Sequence, residues 1–148
     1  AGINAEYVTE FAKDKTWEEN QKVLNCQFYI SGKQAFRLAR VYGKVDVAVT
    51  DSPIILGSFY TDEEYIKTAC IGEDGKYKNQ LNYFIERRKA YNPAGRNQTE
   101  DEAKEIDVKV RAMLDKLGKH YVSVEGTLEG YDWIVEDVLI HLNKLTLN

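Results

Sequence analysis

Four short runs rich in β-forming residues, AEYVTEF (5–11), VDVAVT (45–50), LNYFIER (81–87) and HYVSVEG (120–126), are separated by segments of helical patterning. Strand followed by helix, four times over, is the order of an α/β protein: parallel neighbours need a long crossover between them, and a helix supplies it. A mostly parallel sheet is the expected core. This order also limits where chemistry can sit, because ligands of open α/β sheets bind beyond the carboxyl ends of the strands.

The helical segments are read from caps and periodicity. Thr16 with Glu19 three residues on forms a capping-box pattern, and Gly43 is a stop. Between them Trp17, Val23, Leu24, Phe28, Ile30 and Leu38 recur at roughly helical spacing. This predicts one long helix over 16–43, or two with a break near Ser31-Gly32. Pro53 opens a helical stretch reaching about Tyr60, and Thr61, followed by Asp62, Glu63 and Glu64, opens another. CIGEDGKYKNQ (70–80) and KAYNPAGRNQ (89–98) read as loops. Thr99 caps a charged helix ending at Gly118, acids first and bases later as the helix dipole favours, and YDWIVEDVLIHLNKL (131–145) closes the chain as a helix.

The 148 residues are one domain's worth, so 1–148 is read as a single domain. A net charge of −4 gives no electrostatic footprint for nucleic acid, and no aromatic-basic stripe appears. Cys26 and Cys70 lie far apart, and only His120 and His141 could join them, which reads as two buried free thiols in a reducing compartment rather than a zinc site. No 18-residue apolar run and no signal-peptide pattern occurs, which points to a cytoplasmic protein without a membrane partner.

Glu10, Asp51 and the Arg87–Arg88 pair fall at strand ends, and Arg96 lies in the loop that follows. Arginine forks match phosphate oxygens and carboxylates position Mg²⁺, so this edge reads as a site for phosphate with a metal ion. For Asp51 a second reading stays open: an ordinary N-cap of the helix beginning at Ser52-Pro53.

The segments YVTEFA (7–12), GKQAFRLARV (32–41), VDVAVTDSP (45–53), LNYFIERR (81–88), YNPAGRNQTEDEAKEID (91–107) and HYVSVEG (120–126) together resemble P-loop kinases of the nucleoside and nucleotide kinase group. The likeness is closest to phage-type "AAA family ATPase" proteins, which are similar to the ribosylnicotinamide kinase domain of the bacterial NAD regulator. It runs from about residue 3 to the end; its most specific piece is the 91–107 segment, which looks like the family's lid, and the lid segment is taken as 88–100. The resemblance implies a three-layer P-loop NTPase-like fold in the cytoplasm of a bacterial host. It implies ATP-dependent phosphoryl transfer, with Mg²⁺, to a small nucleoside- or nucleotide-like acceptor. By that likeness Glu10 is the base on the acceptor hydroxyl, and Gln34 and Arg37 face the acceptor. Asp51 positions Mg²⁺ directly or through water, while Arg88 and Arg96, with Arg87, stabilise charge on the transferred phosphoryl. Side chains around Phe28, Gln34 and Tyr60 would set acceptor choice.

One departure from that family is large. Its members open with a strand and G-x-x-x-x-G-K-S/T, whose backbone N–H groups cradle the phosphates. Here the nearest candidate, QFYISGKQ (27–34), lacks the first glycine and sits inside a helical pattern. The N-terminal strand and phosphate loop are thus missing from the pattern, as though the chain began one strand, one loop and one helix late. Unpaired strand groups buried in a core cost about 1–3 kcal/mol each. The expected resolutions are a fragment of a longer product, strands that re-pair, or a homodimer formed by strand pairing. The alternative function is a non-catalytic binding or interaction protein on a degenerate kinase scaffold, to which the ten tyrosines are suited.

Overall fold

The computed structural model describes residues 2–87 and 99–146. Four strands and six α-helices alternate: β1 (Ala5–Val8), α1 (Phe11–Trp17), α2 (Gln21–Leu24), α3 (Gln27–Ala39), β2 (Val47–Thr50), α4 (Glu64–Asp74), β3 (Tyr83–Glu86), α5 (Glu100–Lys116), β4 (Val122–Glu125) and α6 (Leu128–Thr146). A 3₁₀ turn over Ile54–Ser58 links β2 to α4. The α/β class and the parallel pairing agree with the sequence. β1 pairs with β2, Tyr7 opposite Val49 and Val8 opposite Thr50, and β3 pairs with β4, Ile85 opposite Val124. Each pair is a separate two-stranded sheet.

The chain divides into two compact units, the first holding described residues 2–78 and 99–110 and the second 79–87 and 111–146. In the first, the core is built on Ile54, Ile66 and Cys70, with Ala35, Leu38 and Tyr77 packed against them. Val8 of β1 is fully buried, and Phe11 at the start of α1 nearly so. Burying side chains of this size stabilises by about 1.5–3 kcal/mol each, which fixes the 3₁₀ turn against α3 and α4. Gly57 is the point of closest approach: a Cβ there would lie 2.6 Å from Ser31 Oγ and 2.7 Å from Cys70 Sγ.

Several boundaries depart from the sequence reading. The helix expected over 16–43 is three helices, and the breaks fall at 18–20 and 25–26 rather than at Ser31-Gly32, which lie inside α3. Thr16 caps nothing; it closes α1, its hydroxyl donating to the Ala12 carbonyl at 3.1 Å. Glu19 takes a φ of 53°, and Asn20 starts α2 by accepting the Val23 N–H at 3.2 Å. Residues 70–74, read as loop, are the last turns of α4, because Cys70 is needed in the core. The stretch from Pro53 is a short 3₁₀ turn, and the helix expected from Thr61 begins at Glu64.

In the second unit, Tyr83 of β3 donates to Asp137 Oδ2 of α6 at 2.6 Å and meets the Trp133 ring edge-on with centroids 6.2 Å apart. Arg111 of α5 lies flat over Phe84, 3.9 Å from the ring centroid, while its guanidinium donates to Ser123 Oγ at 2.7 Å and pairs with Glu86 at 3.4 Å. One side chain thus ties a helix to both strands of the β3–β4 pair. No helix among the described residues is long and apolar enough to cross a membrane.

Candidate functional site

The carboxyl ends of β1 and β2 are brought level by the register of the pair, which sets Val8 opposite Thr50. Glu10 follows two residues after β1, and Asp51 directly after β2. Tyr7 connects them. Partial burial, then the Asp51 carboxylate acting through charge and hydrogen bond, then Glu10, push the Tyr7 pKa above its ordinary value.

This geometry bears on the two readings of Asp51. The 3₁₀ turn starts with Pro53 at its N-cap position and has no side-chain cap, and the Ser52 N–H is taken by Thr50 Oγ1 at 3.1 Å. Asp51 is therefore exposed and not used as a helix cap, and its carboxylate acts on the Tyr7 hydroxyl.

Residues 9–14, which carry Glu10, are held from α3. Arg37 Nη1 donates to Thr9 Oγ1 at 2.8 Å and to the Thr9 carbonyl at 3.1 Å, and Nη2 donates to Asp14 Oδ2 at 2.7 Å. The same guanidinium sits 5.2 Å from the Phe11 ring centroid. One turn earlier, Gln34 is only 4% exposed and accepts the Phe11 N–H at 2.9 Å, satisfying a first-turn donor of α1. Its Nε2 is buried without a hydrogen-bond partner. Gln34 and Arg37, expected to face an acceptor, are both engaged in fixing the Glu10 segment. Their role as clamps was not legible because their partners are 23 to 28 residues away in sequence.

Arg87 is exposed and follows β3. Arg88 and Arg96, with the lid-like segment through residue 98, lie outside the described residues. Thr99 is described, and it forms the predicted cap of α5: its N–H donates to Glu102 Oε2 at 2.7 Å, and its Oγ1 accepts the Glu102 N–H at 3.3 Å.

Each unit carries a concavity of its own, and neither is lined by Glu10, Asp51, Gln34 or Arg37. One of about 560 Å³ lies where the α2–α3 joint meets the segment leading into α4, and Phe28, Phe59, Tyr60 and Tyr65 line it. A smaller one of about 330 Å³ runs along β4 to Trp133 of α6. Among the described residues no group of three or more His, Cys, Asp or Glu side chains is placed to hold a metal ion. Both cysteines are free thiols, but only Cys70 is buried as expected; Cys26, at the start of α3, is exposed. Comparison with protein families, with curated proteins and with solved structures finds no match to this chain.

Proposed function

We propose that the β1–β2 edge is the acceptor side of an ATP-dependent phosphotransferase acting on a small nucleoside- or nucleotide-like alcohol. The observation that carries this reading is the register of β1 and β2, which sets Val8 opposite Thr50 and so brings Glu10 and Asp51 to the carboxyl ends of two paired parallel strands. Glu10 takes the proton of the attacking hydroxyl, held in place by the Arg37 and Gln34 contacts on either side of it. Tyr7, whose hydroxyl the Asp51 carboxylate favours in its neutral form, is the neighbouring group proposed to donate to Asp51.

The donor set fits Mg²⁺ better than a metal that needs a full protein cage. Mg²⁺ retains waters and takes one or two carboxylates together with substrate phosphates, and Asp51 offers one such carboxylate at an exposed position. When bound, Mg²⁺ with ATP supplies neutralisation of charge on the transferred phosphoryl. Arg87, Arg88 and Arg96 are the cations assigned to the same charge.

The 148-residue sequence holds no G-x-x-x-x-G-K-S/T loop, so nucleotide affinity is expected to be weak for this chain alone. Calorimetry with ATP·Mg²⁺, on this chain and on any longer form of the gene product, measures it. Phosphoryl transfer to a nucleoside panel is then compared between the active form and its Glu10→Gln and Asp51→Asn variants. Loss of at least about 100-fold in each is expected, on the scale of a missing general base; unchanged transfer in both would sink the assignment.

A second reading, a binding protein that associates through its strands, is favoured by one observation. Val49 at 52% and Ile85 at 49% exposure are apolar strand residues left in contact with solvent, whereas parallel strands are ordinarily covered on both faces. Light scattering across a concentration series tests it, and a monomer throughout counts against a homodimer formed by strand pairing.

A further inference from the structure

The groove between the α2–α3 joint and the start of α4 has a chemistry that phosphoryl transfer does not call for. Its apolar wall is aromatic: Phe28 and Tyr65 pack with centroids 6.3 Å apart at 52°, and Phe59 and Tyr60 meet at 5.0 Å and 88°. Phe28 is 64% exposed and Tyr65 62%, so rings of this size are presented to solvent rather than used to fill a core. The charged groups lining the groove are Asp62 and Glu63; among the described residues no Lys, Arg or His lines it.

Each of these features selects for positive charge. Aromatic faces carry negative potential and attract a cation most strongly where the cation sheds little water. Carboxylates beside them add a longer-range attraction, reduced by the positive end of α4 and by Lys67, whose charge acts on Asp62 from outside the lining. An anionic phosphate would meet two like charges in the same place. Neither ring pair is a parallel stack, which suits a rounded group touching several ring faces better than a flat ring slotted between two. The volume, about 560 Å³, is in the range of small-molecule sites.

We propose that this groove binds a small organic cation of the quaternary ammonium class, its alkylated nitrogen against Phe28, Tyr60 and Tyr65 and its charge balanced by Asp62 and Glu63. The site shares none of Glu10, Asp51, Gln34 or Arg37 and does not require phosphoryl transfer, although Phe28 and Tyr60 are also the side chains that the kinase resemblance places around the acceptor. Binding through a few exposed rings is weak by nature, with a dissociation constant on the order of 1 mM.

The test is a titration of the 148-residue chain with choline and with its uncharged isostere 3,3-dimethylbutan-1-ol, followed by ¹H–¹⁵N and aromatic NMR shifts. Saturable shifts at Phe28, Tyr60 and Tyr65 are expected for choline, at least about fivefold weaker for the isostere, since charge is then the discriminating term. Tyr65→Ala and the double change Asp62→Asn with Glu63→Gln each weaken choline binding by about threefold or more. Both variants alter exposed positions, so unchanged amide spectra elsewhere verify the fold. Equal binding of choline and the isostere, shifts confined to other surfaces, or no saturation by roughly 50 mM overturns the proposal.

Discussion

Replacing Arg37 by methionine separates a structural clamp from a ligand-facing arginine. The guanidinium makes two hydrogen bonds to Thr9, at 2.8 and 3.1 Å, and one to Asp14 at 2.7 Å. Neutral hydrogen bonds contribute about 0.5–1.5 kcal/mol net each. The Asp14 pair deserves less than a buried ion pair would: the Arg37 side chain is 22% exposed and that of Asp14 48%, so solvent screens it to about 0.2–1 kcal/mol. Methionine keeps an apolar stem against Phe11, so the loss is confined to the polar contacts. The expected destabilisation is about 1–4 kcal/mol, read as a lower urea midpoint with unchanged slope and a fall of roughly 3–12 °C in Tm. A double-mutant cycle with Asp14→Asn apportions the ion pair. Stability within about 0.5 kcal/mol of the parent would refute the clamp, being smaller than a single lost hydrogen bond. Unchanged stability together with lost acceptor binding would return Arg37 to the ligand-facing role.

Tyr83→Phe removes only the hydroxyl that donates to Asp137 at 2.6 Å, and a half-exposed bond of this kind is expected to cost about 1 kcal/mol in urea unfolding. Burial first, then the hydrogen bond and charge of Asp137, raise the Tyr83 pKa above 10.0, so the unfolded chain deprotonates there before the folded one. The resulting stabilisation is complete below about pH 10 and declines as pH rises beyond it, and the Phe variant lacks that portion of the alkaline decline. Gly130→Ala places a Cβ 2.1 Å from the Glu125 carbonyl and 3.0 Å from Val124 Cγ1, a collision with backbone that cannot relax by rotamer change; a loss of about 2–3 kcal/mol by thermal melting is expected. A thiol reagent should label Cys26 in the native protein and Cys70 only in urea, since the first is exposed and the second is 2% exposed within the core; fast labelling of both would contradict the packing around Ile54 and Ile66.

What the sequence made legible was what is local. Thr99 and Glu102 form their reciprocal cap because every atom of that motif lies within four residues. Thr16 and Glu19 show the same spacing and form no cap, because α1 has already started at Phe11, where Gln34 of α3 supplies the acceptor for its N–H. The outcome there is decided by a contact across 23 residues. The glycines of CIGEDG suggested a loop, yet Gly72 is carried inside α4 because Ile66 and Cys70, four apart on one face, both enter the core. At the candidate site, the strand-end acids were visible from strand order alone, while Tyr7, the group that joins them, reads in sequence as an ordinary alternating strand residue. Arg111 left no signal either, since its worth comes from stacking on Phe84 and reaching Ser123.

The strands also show why an unpaired edge need not cost what a buried one would. The penalty of about 1–3 kcal/mol per orphaned group applies when water cannot reach it. In β2, Ala48 and Val49 are exposed, and in β3 so is Ile85, so water has access to these strands and can satisfy their open backbone groups. The cost moves from hydrogen bonding to burial: Val49 and Ile85 forgo part of the roughly 1.5–3 kcal/mol that covering such side chains provides. A two-stranded sheet of this kind is therefore stable only with help from its helices, which Arg111 and the Tyr83–Asp137 bond supply for β3. The same exposed apolar rows make an added strand favourable in free energy, so any segment able to pair with β2 or β3 would gain both ladder and burial at once. Glu10 and Asp51, the acids of the proposed site, follow β1 and β2, which links strand pairing to that proposal: a segment that covered β2 would also set how dry, and hence how strong, the Asp51 carboxylate's interactions become.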